Sequence, residues 1–473
     1  MDEGTETINI TKPGRRLVLC FDGTGNQFNG NESDSNVVKI YQMLDRYDKR
    51  QFHYYQPGIG TFSVGASSGI TMFGRLRSKI SEVIDKAIGT SFEYHVTSGY
   101  RFLMRYYKPG DDIYIFGFSR GAYTARFLAE MIEHVGLLAM GNEDMIRFVY
   151  RAFCKFQTSR GKPRKTAEES RVEEYLQKLK STFCRKEVKI FFLGLFDCVN
   201  SVSTLEIPFS SHPYRYCAPV SSSPSSFFLL EKHLTRVYKS PAKHVRHALS
   251  VHERRLKFKP ALFTFESADT TATIKEVWFA GNHSDVGGGF SYERNSRYLL
   301  SDIPLAWMLE EAMSVSDAPA GPLTFDDRHP EALNRLKAIE ATLQARAESN
   351  NQVGASGVVP EGEVAYFEHH DSLIIGRGAG WYMTVMWWFM ELLPVFTRLE
   401  LEEHQWKPRY WPPNCGAHRD IPSEATFHHT VEQMHKAGIL KKMPKQGGDG
   451  APFLKDPLIA VRYLGKVLVF WKK

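Results

Sequence analysis

The sequence predicts an α/β fold with a mainly parallel sheet flanked by helices. Short runs rich in Val, Ile, Phe and Tyr are typical of buried strands, and here they alternate with segments of helical periodicity. Each run is bounded by glycine or a charged residue, and strands that alternate with helices favour the α/β class. The predicted strands are LVLCF (17–21), HYYQP (53–57), DIYIFGF (112–118), VKIFFLGLF (188–196) and EVWFAG (276–281).

The clearest helical pattern is AYTARFLAEMIEHVG, residues 122–136. Its apolar residues fall on one face at helical spacing, and Gly136 offers a stop signal. This segment is predicted to form a helix packed on the sheet. The apolar stripe consists of Ala122, Ala125, Phe127, Leu128 and Ile132.

The length of 473 residues allows more than one structural unit. We expect an α/β-hydrolase-like catalytic domain at residues 14–315, with a helical insertion at about 137–187 that contains the basic stretch QTSRGKPRKTAEESR. A helical, aromatic-rich region at 316–473 is expected to pack on or cap this core. SSSPSS (221–226) and residues 349–362 are predicted surface loops.

The composition is that of a globular protein, with 42% hydrophobic and 24% charged residues. The net charge of +7 favours an anionic substrate or surface without identifying one. The six cysteines form no C-x-x-C pair, so we expect no structural zinc. The polar N-terminus lacks the basic and apolar segments of a secretory signal, and we expect a cytoplasmic protein with reduced thiols.

The strongest chemical signal is Gly117-Phe118-Ser119-Arg120-Gly121. This G-x-S-x-G pattern follows a predicted strand and opens a predicted helix, which is the context of a nucleophile elbow. Side chains at Gly117 or Gly121 would crowd the tight turn that exposes the serine hydroxyl. Ser119 is therefore the candidate nucleophile, although a structural strand-to-helix connection is the alternative.

A nucleophilic serine needs a base, and the base needs a carboxylate to orient it. Two later strands supply these groups at their ends, namely Asp197 and His283. The order Ser119, Asp197, His283 is the one found with this elbow. Because the carboxyl ends of parallel strands form the ligand edge of a sheet, we expect the three residues to meet there.

Two other assignments stay open for the base and its partner. Asp285 lies two positions after His283 and is an alternative orienting group, although we favour a structural role in which it anchors the glycine-rich loop. His370 is an alternative base, but we expect His369 and His370 to lie outside the reacting centre.

The motif set resembles a family of α/β-hydrolase-like domains, long catalogued as of unknown function, that includes the type VI secretion phospholipase effectors of bacteria and many fungal proteins. The resemblance covers about residues 14–315, with weaker likeness in HHDSL (369–373) and in WPPNCGAHRDIPSEATFHHTV (411–431). The fungal type of member is the expected one. The motifs that carry the resemblance are FDGTGN, GFSRGAYTAR, FDCVNSV and WFAGNHSDVGGG.

This resemblance implies a serine-dependent ester hydrolase with Ser119, Asp197 and His283 as the catalytic residues. It further implies a phospholipid or another lipid ester as substrate, since phospholipid is the characterised substrate class of the bacterial branch. The serine mechanism needs no metal or cofactor, and we expect no nucleic-acid partner. Cys198 stands where a threonine is expected, a change that leaves the three catalytic residues intact. A catalytically silent binding module on the same fold is the alternative function, because fold does not imply activity.

The early stretch FDGTGN allows two chemical interpretations. In a hydrolase, Gly23 or Thr24 would donate one backbone N–H to the oxyanion and Arg120 the other, while Asp22 pins the turn. FDGT also resembles the D-x-D-G-T motif of haloacid-dehalogenase-type phosphatases, which needs two carboxylates. Either alignment leaves one of them missing, because Cys20 or Thr24 takes its place.

The most apolar stretch is AGWYMTVMWWFMELLPVF, residues 379–396. Glu391 and Pro394 interrupt it, so a membrane-spanning helix is not expected. A helix buried against the core is the favoured interpretation. Its three tryptophans and one tyrosine also suit a membrane interface, so peripheral membrane contact through this segment is the alternative.

Overall fold

The computed structural model describes residues 14–58, 76–159, 167–199, 240–263, 272–292, 298–352, 369–392, 398–402, 405–409, 413–444 and 446–447. The strands in this part of the chain are β1 (Arg16–Phe21), β2 (Gln51–Gln56), β3 (Asp112–Phe118), β4 (Leu137–Leu138), β5 (Cys184–Arg185), β6 (Ile190–Phe196), β7 (Ala242–Ser250), β8 (Thr273–Phe279), β9 (Arg398–Glu402), β10 (Gln405–Arg409) and β11 (Thr426–Phe427).

The α-helices of the same described ranges are α1 (Asn36–Met43), α2 (Leu76–Tyr106), α3 (Arg120–Val135), α4 (Ile146–Ser159), α5 (Ala167–Phe183), α6 (His283–Gly287), α7 (Asp302–Ser314), α8 (Arg328–Gln352), α9 (Trp381–Leu392) and α10 (His429–Lys436).

Seven strands form one parallel sheet in the order β2-β1-β3-β6-β7-β8-β11. The chain first moves from β1 to β2 on one side and then to β3 on the other. The strand order therefore reverses at β1, and such a reversal opens a crevice beyond the carboxyl ends of the flanking strands. Ser119 and Asp22 follow the two strands that border this crevice.

The core lies on both faces of the sheet, because side chains of a strand alternate between faces. In β1, Leu17, Leu19 and Phe21 pack on the side covered by α2, α3 and α4, whereas Val18 and Cys20 pack on the side covered by α1, α7 and α8. Continuous burial of this kind gives the unbroken apolar runs of the sequence. The predicted α/β-hydrolase-like class with a mainly parallel sheet is confirmed.

The five predicted strands correspond to β1, β2, β3, β6 and β8, whereas β7 was not predicted. Its sequence, AKHVRHALS, carries charged and imidazole side chains that obscure the apolar pattern. Long-range partners compensate them on burial: Arg246 pairs with Glu311, and His247 hydrogen-bonds Glu276 at 2.8 Å. These partners come from distant segments, so the local pattern could not predict them.

Helix α3 spans the predicted segment and ends at Gly136, whose φ of 91° lies in the region that favours glycine. Within the insertion, α4 and α5 are helical as expected, and the short strands β4 and β5 pair at its two ends. The expectation of a loop from residue 349 is wrong at its start, because α8 continues to Gln352. Residues 221–226 lie outside the described part of the chain.

The region after residue 315 contacts the core directly. Helices α8 and α10 contribute buried residues to the cluster on one face of the sheet, and β11 pairs with β8 at the sheet edge. The division into a 14–315 unit and a 316–473 unit stays a prediction.

Candidate active site

Ser119 occupies a strained turn between β3 and α3. Its φ of 58° and ψ of −124° fall outside the regions that residues with a side chain ordinarily adopt. The turn is held by the backbone, since the Ser119 N–H donates to the Phe196 carbonyl at 3.0 Å and Tyr123 N donates to the Ser119 carbonyl at 3.2 Å. The first of these bonds fixes Ser119 beside the carboxyl end of the neighbouring strand β6.

The two glycines of the pattern leave no room for a side chain. A Cβ atom at Gly117 would lie 2.6 Å from the Ala122 Cα atom. At Gly121 it would lie 2.3 Å from the carbonyl oxygens of both Phe21 and Asp22. Gly121 therefore allows the elbow to approach the end of β1, as the sequence pattern led us to expect.

Asp197 and His283 are in direct contact at the same edge of the sheet. Asp197 follows β6 and His283 opens α6, and His283 Nδ1 lies 2.5 Å from Asp197 Oδ2. Both side chains are buried. Because Nδ1 carries the proton that bonds the carboxylate, Nε2 of the neutral ring is left with its lone pair, as a base requires.

The residues that flank Ser119 and Asp197 in the chain bring the elbow toward this pair, but Ser119 forms no hydrogen bond with either side chain. The ring of Phe118 lies 4.8 Å from the His283 ring between centroids, and a Cβ atom at Gly287 would lie 1.9 Å from the Phe118 ring. Within the described residues, the Ser119 hydroxyl has no hydrogen-bond partner. Contacts of this type commonly tighten only when substrate is bound.

Arg419 is a further residue of this site that the sequence analysis did not name. Its Nη1 and Nη2 atoms donate to Asp197 Oδ1 and Oδ2 at 2.6 and 2.8 Å. Burial raises the pKa of Asp197, but Arg419 and the bond from His283 outweigh burial and hold that pKa well below its usual range. Arg419 lies within the segment 411–431 that carries the weaker family likeness, which was the available signal.

A second buried ion pair borders the imidazole. Glu253 accepts two hydrogen bonds from the Arg255 guanidinium, at 2.9 and 2.7 Å. It accepts a third from the backbone N–H of His283, at 3.3 Å. Burial raises the pKa of Glu253, but Arg255 more than compensates and the pKa falls to about 2. For His283, burial lowers the pKa and Asp197 opposes this shift, and the net direction is downward.

Asp285 faces away from the imidazole of His283. Its Oδ1 lies 2.6 Å from His370 Nδ1, and its Oδ2 accepts the backbone N–H groups of His370 and Asn282, each at 2.9 Å. Asn282 in turn caps the start of α6. This geometry supports a structural role for Asp285 and not the role of orienting His283. The Nδ1 atom of His370 is engaged in the same contact with Asp285.

Asp22 pins the first turn through three neutral donors. It accepts the backbone N–H of Gly23 at 2.7 Å, the Ser35 hydroxyl at 2.7 Å and the Tyr55 hydroxyl at 2.8 Å. Burial raises the pKa of Asp22, and these bonds partly oppose the rise. The Gly23 N–H is thus engaged by the Asp22 side chain, and the assignment of the oxyanion donor to Gly23 or Thr24 stays a prediction.

Two backbone donors remain at the expected oxyanion position. The N–H groups of Thr24 and Arg120 have no acceptor among the described residues, and Arg120 is the first residue of α3, where helical amides lack partners. The guanidinium of Arg120 is half-buried and forms no ion pair in the same ranges. Burial lowers its pKa to about 10.

No group of three or more His, Cys, Asp or Glu side chains in the described residues is arranged to hold a metal ion. The thiol of Cys20, which the phosphatase alignment puts in the nucleophile position, is fully buried within β1. Burial raises the pKa of this thiol far above its usual range.

Helix α9 lies against the site with its polar residues inward. Glu391 is buried and accepts the backbone N–H groups of Leu256 and Gly416 at 2.6 and 3.0 Å. Trp387 packs on Phe258 at 5.5 Å between ring centroids, and Phe258 packs on the His283 ring at 4.8 Å. The helix is thus anchored beside the base.

The other face of α9 is exposed and apolar. Trp381 is 68% exposed and Tyr382 is 60% exposed, together with Met383, Met386 and Phe389. This exposure does not fit the favoured interpretation of a helix fully buried against the core. None of the helices in the described ranges is long and apolar enough to cross a membrane.

Three known proteins are similar to this chain. The protein YEL023C of Saccharomyces cerevisiae, described as uncharacterized, is 28% identical over an alignment 555 positions long, gaps included, which covers 91% of this chain and 80% of the yeast protein. A crystal structure of an uncharacterized protein from Pseudomonas aeruginosa shares 19% identity with a TM-score of 0.37, covering 73% of this chain and 51% of that one.

The third is the Tle1 effector bound to the VgrG spike from the type 6 secretion system, with 20% identity and a TM-score of 0.30. This match covers 59% of the present chain and 52% of the effector chain. The chain thus spans about half the length of both solved structures, and the TM-scores are too low to support an inference.

A family model matches most of the chain. Residues 15–311, well over half of the chain, match the family model described as T6SS, phospholipase effector Tle1-like, catalytic domain. This match confirms the resemblance drawn from the four motifs. The chain belongs to the Tle1-like phospholipase effector catalytic-domain family.

Proposed function

We infer that this protein is a serine-dependent carboxylic ester hydrolase that acts on a phospholipid or another lipid ester. The observation that carries the proposal is the 2.5 Å contact between His283 Nδ1 and Asp197 Oδ2, next to the strained elbow of Ser119. The family membership supports a lipid as the substrate class.

In the proposed mechanism, His283 Nε2 accepts the proton of Ser119 as the hydroxyl oxygen attacks the ester carbonyl. Asp197 keeps the ring in the required tautomer and stabilises its positive charge. His283 then donates the proton to the leaving alcohol, and a water molecule activated by the same nitrogen releases the acid from Ser119.

The tetrahedral oxyanion is bound by the backbone N–H groups of Thr24 and Arg120 in this proposal. Both are free of acceptors among the described residues, and Arg120 lies at the N-terminus of α3, where the helix dipole favours negative charge. Asp22 keeps the Thr24 turn in place through its bonds to Gly23, Ser35 and Tyr55.

Two further features support a lipid ester over a small soluble one. The exposed aromatic and methionine face of α9 suits the interface of a bilayer, where amphipathic rings prefer to lie. The guanidinium of Arg120, which is half-buried and has no ion-pair partner among the described residues, suits a substrate with a negative group near the ester, because a cation shielded from water is normally paired. We therefore propose a cytoplasmic enzyme with peripheral membrane contact through 379–396.

A substrate panel tests this function. Hydrolysis of phospholipid vesicles, a neutral diacylglycerol and a short water-soluble ester is measured for the wild-type protein and for Ser119→Ala, with Arg120→Gln as a third variant. We expect phospholipid to be hydrolysed, Ser119→Ala to lose all ester hydrolysis, and Arg120→Gln to lose more activity on phospholipid than on diacylglycerol. A wild-type protein that binds vesicles without cleaving any ester would favour the silent binding module.

A further inference from the structure

The carboxylate of Asp197 is shared between the imidazole of His283 and the guanidinium of Arg419. Its Oδ2 atom receives both His283 Nδ1 at 2.5 Å and Arg419 Nη2 at 2.8 Å. Its Oδ1 atom receives Arg419 Nη1 at 2.6 Å and the Ser250 N–H at 3.0 Å. A two-point guanidinium contact of this kind fixes the plane of the carboxylate.

Arg419 is itself held by the rest of the site. Its Nη1 atom donates to the Ser250 hydroxyl at 2.7 Å, and Nη2 donates to the Phe258 carbonyl. The side chain is buried, with only 4% of the residue exposed. It therefore has no freedom to leave Asp197 for water.

Each of the two carboxylates near the imidazole of His283 is paired with an arginine. Asp197 lies at the end of β6 and is paired with Arg419 from the C-terminal region, and Glu253 follows β7 and is paired with Arg255. Two buried carboxylates without these cations would stabilise the imidazolium strongly. A permanently protonated ring has no lone pair with which to accept the Ser119 proton.

We propose that Arg419 is a positioning residue that orients Asp197 and offsets part of its charge, so that His283 stays neutral and able to accept a proton near neutral pH. The proposal rests on the base function inferred above for His283. In this proposal, the C-terminal segment around Arg419 contributes a residue that positions the catalytic Asp197, and it does more than cap the core.

The test measures the titration of His283 directly by NMR, with its signal assigned through the absence of that signal in His283→Gln. The variants are Arg419→Met, which removes the charge, and Arg419→Lys, which keeps it. Arg16→Met is the matched control, because Arg16 is equally buried and paired with an aspartate, Asp48, but lies at the amino end of β1.

In Arg419→Met the pKa of His283 should rise by about one to two pH units, because the charge of Asp197 is no longer offset. The acid limb of kcat/KM should move to higher pH by the same amount. In Arg419→Lys, which keeps the charge, both midpoints should stay close to their wild-type values. Arg16→Met should lose stability while leaving both midpoints unchanged.

An unchanged titration of His283 in folded Arg419→Met would overturn the proposal, even if activity is lost. If Arg419→Met does not fold, Arg419→Gln, which also removes the charge, decides: an acid limb that stays at the wild-type pH while kcat falls would indicate a purely structural role. The NMR titration does not require turnover, so it distinguishes failure of this proposal from failure of the proposed hydrolase activity.

Discussion

The imidazole of His283 hydrogen-bonds Asp197 and not Asp285, although Asp285 is only two residues away in the sequence. Asp197 Oδ2 lies 2.5 Å from His283 Nδ1, whereas Asp285 is engaged by His370 and the backbone of α6. The carboxyl ends of β6 and β8 bring the distant pair together. Asp285, the nearer carboxylate in the sequence, instead stabilises the loop that carries His283.

The first prediction concerns the pH dependence of hydrolysis. The base must be neutral to accept a proton, and burial lowers the pKa of His283 from the ordinary value of 6.5 more than Asp197 raises it. The plot of kcat/KM against pH should therefore fall on acidification with a midpoint below 6.5, and activity should be on its plateau at pH 7. A midpoint above 7 would mean that the imidazole is charged at neutrality.

The second prediction uses the strain at Ser119. A serine at φ 58° and ψ −124° costs stability that glycine would not, so Ser119→Gly should raise the free energy of unfolding by about 1 kcal/mol. Urea unfolding of Ser119→Gly and Ser119→Ala, both without hydrolase activity, isolates the backbone effect from the loss of the hydroxyl. Equal stability of the two variants would argue that the elbow is unstrained.

The third prediction separates the two interpretations of FDGT. Asp22→Asn replaces one acceptor oxygen with an amide NH2 group, which cannot accept a hydrogen bond, so either the Ser35 bond to Oδ1 or the Tyr55 bond to Oδ2 is lost, at a cost of about 1–3 kcal/mol in stability. Ester hydrolysis should fall without disappearing, and Ser119 should still react with a fluorophosphonate probe. Complete loss of a phosphatase activity in this variant, with Ser119→Ala fully active, would instead identify Asp22 as the nucleophile.

The fourth prediction addresses the exposed face of α9. Replacing Trp381 and Phe389 with serine removes two large apolar groups, and binding to phospholipid vesicles should weaken by at least about tenfold. Hydrolysis of a short soluble ester should be unchanged, because these side chains point away from His283. Vesicle co-sedimentation measures the first effect and a spectrophotometric ester assay the second.

The matched control is Phe148→Ser, which removes an aromatic ring that is 58% exposed on α4. It should leave vesicle binding at the wild-type value. Equal losses in the α9 double variant and in Phe148→Ser would show that general hydrophobicity, and not this helix, determines binding.

Local sequence was sufficient for features that depend on chain neighbours. The strands that precede Ser119, Asp197 and His283 are buried apolar runs, so the ends of these strands could be placed and a shared position at the carboxyl edge of the sheet expected. The glycines at 117 and 121 likewise follow from the crowding of a tight turn.

Features that depend on distant partners could not be predicted. Arg419 meets Asp197 across 222 residues of sequence, and no local pattern indicates which of several arginines makes that contact. The charged strand β7 was missed for the same reason. The bond from the Gly23 N–H to Asp22 could not be predicted either, because the sequence does not specify the direction of the Asp22 side chain.

The most direct test of the central claim is covalent labelling of the wild-type protein with a fluorophosphonate, followed by mass spectrometry of the peptide that contains Ser119. We predict one adduct, at Ser119, with labelling slowed strongly in His283→Ala and little affected in His370→Ala. A folded wild-type protein with no adduct at Ser119, or equal labelling in wild type and His283→Ala with loss only in His370→Ala, would contradict the assigned nucleophile and base.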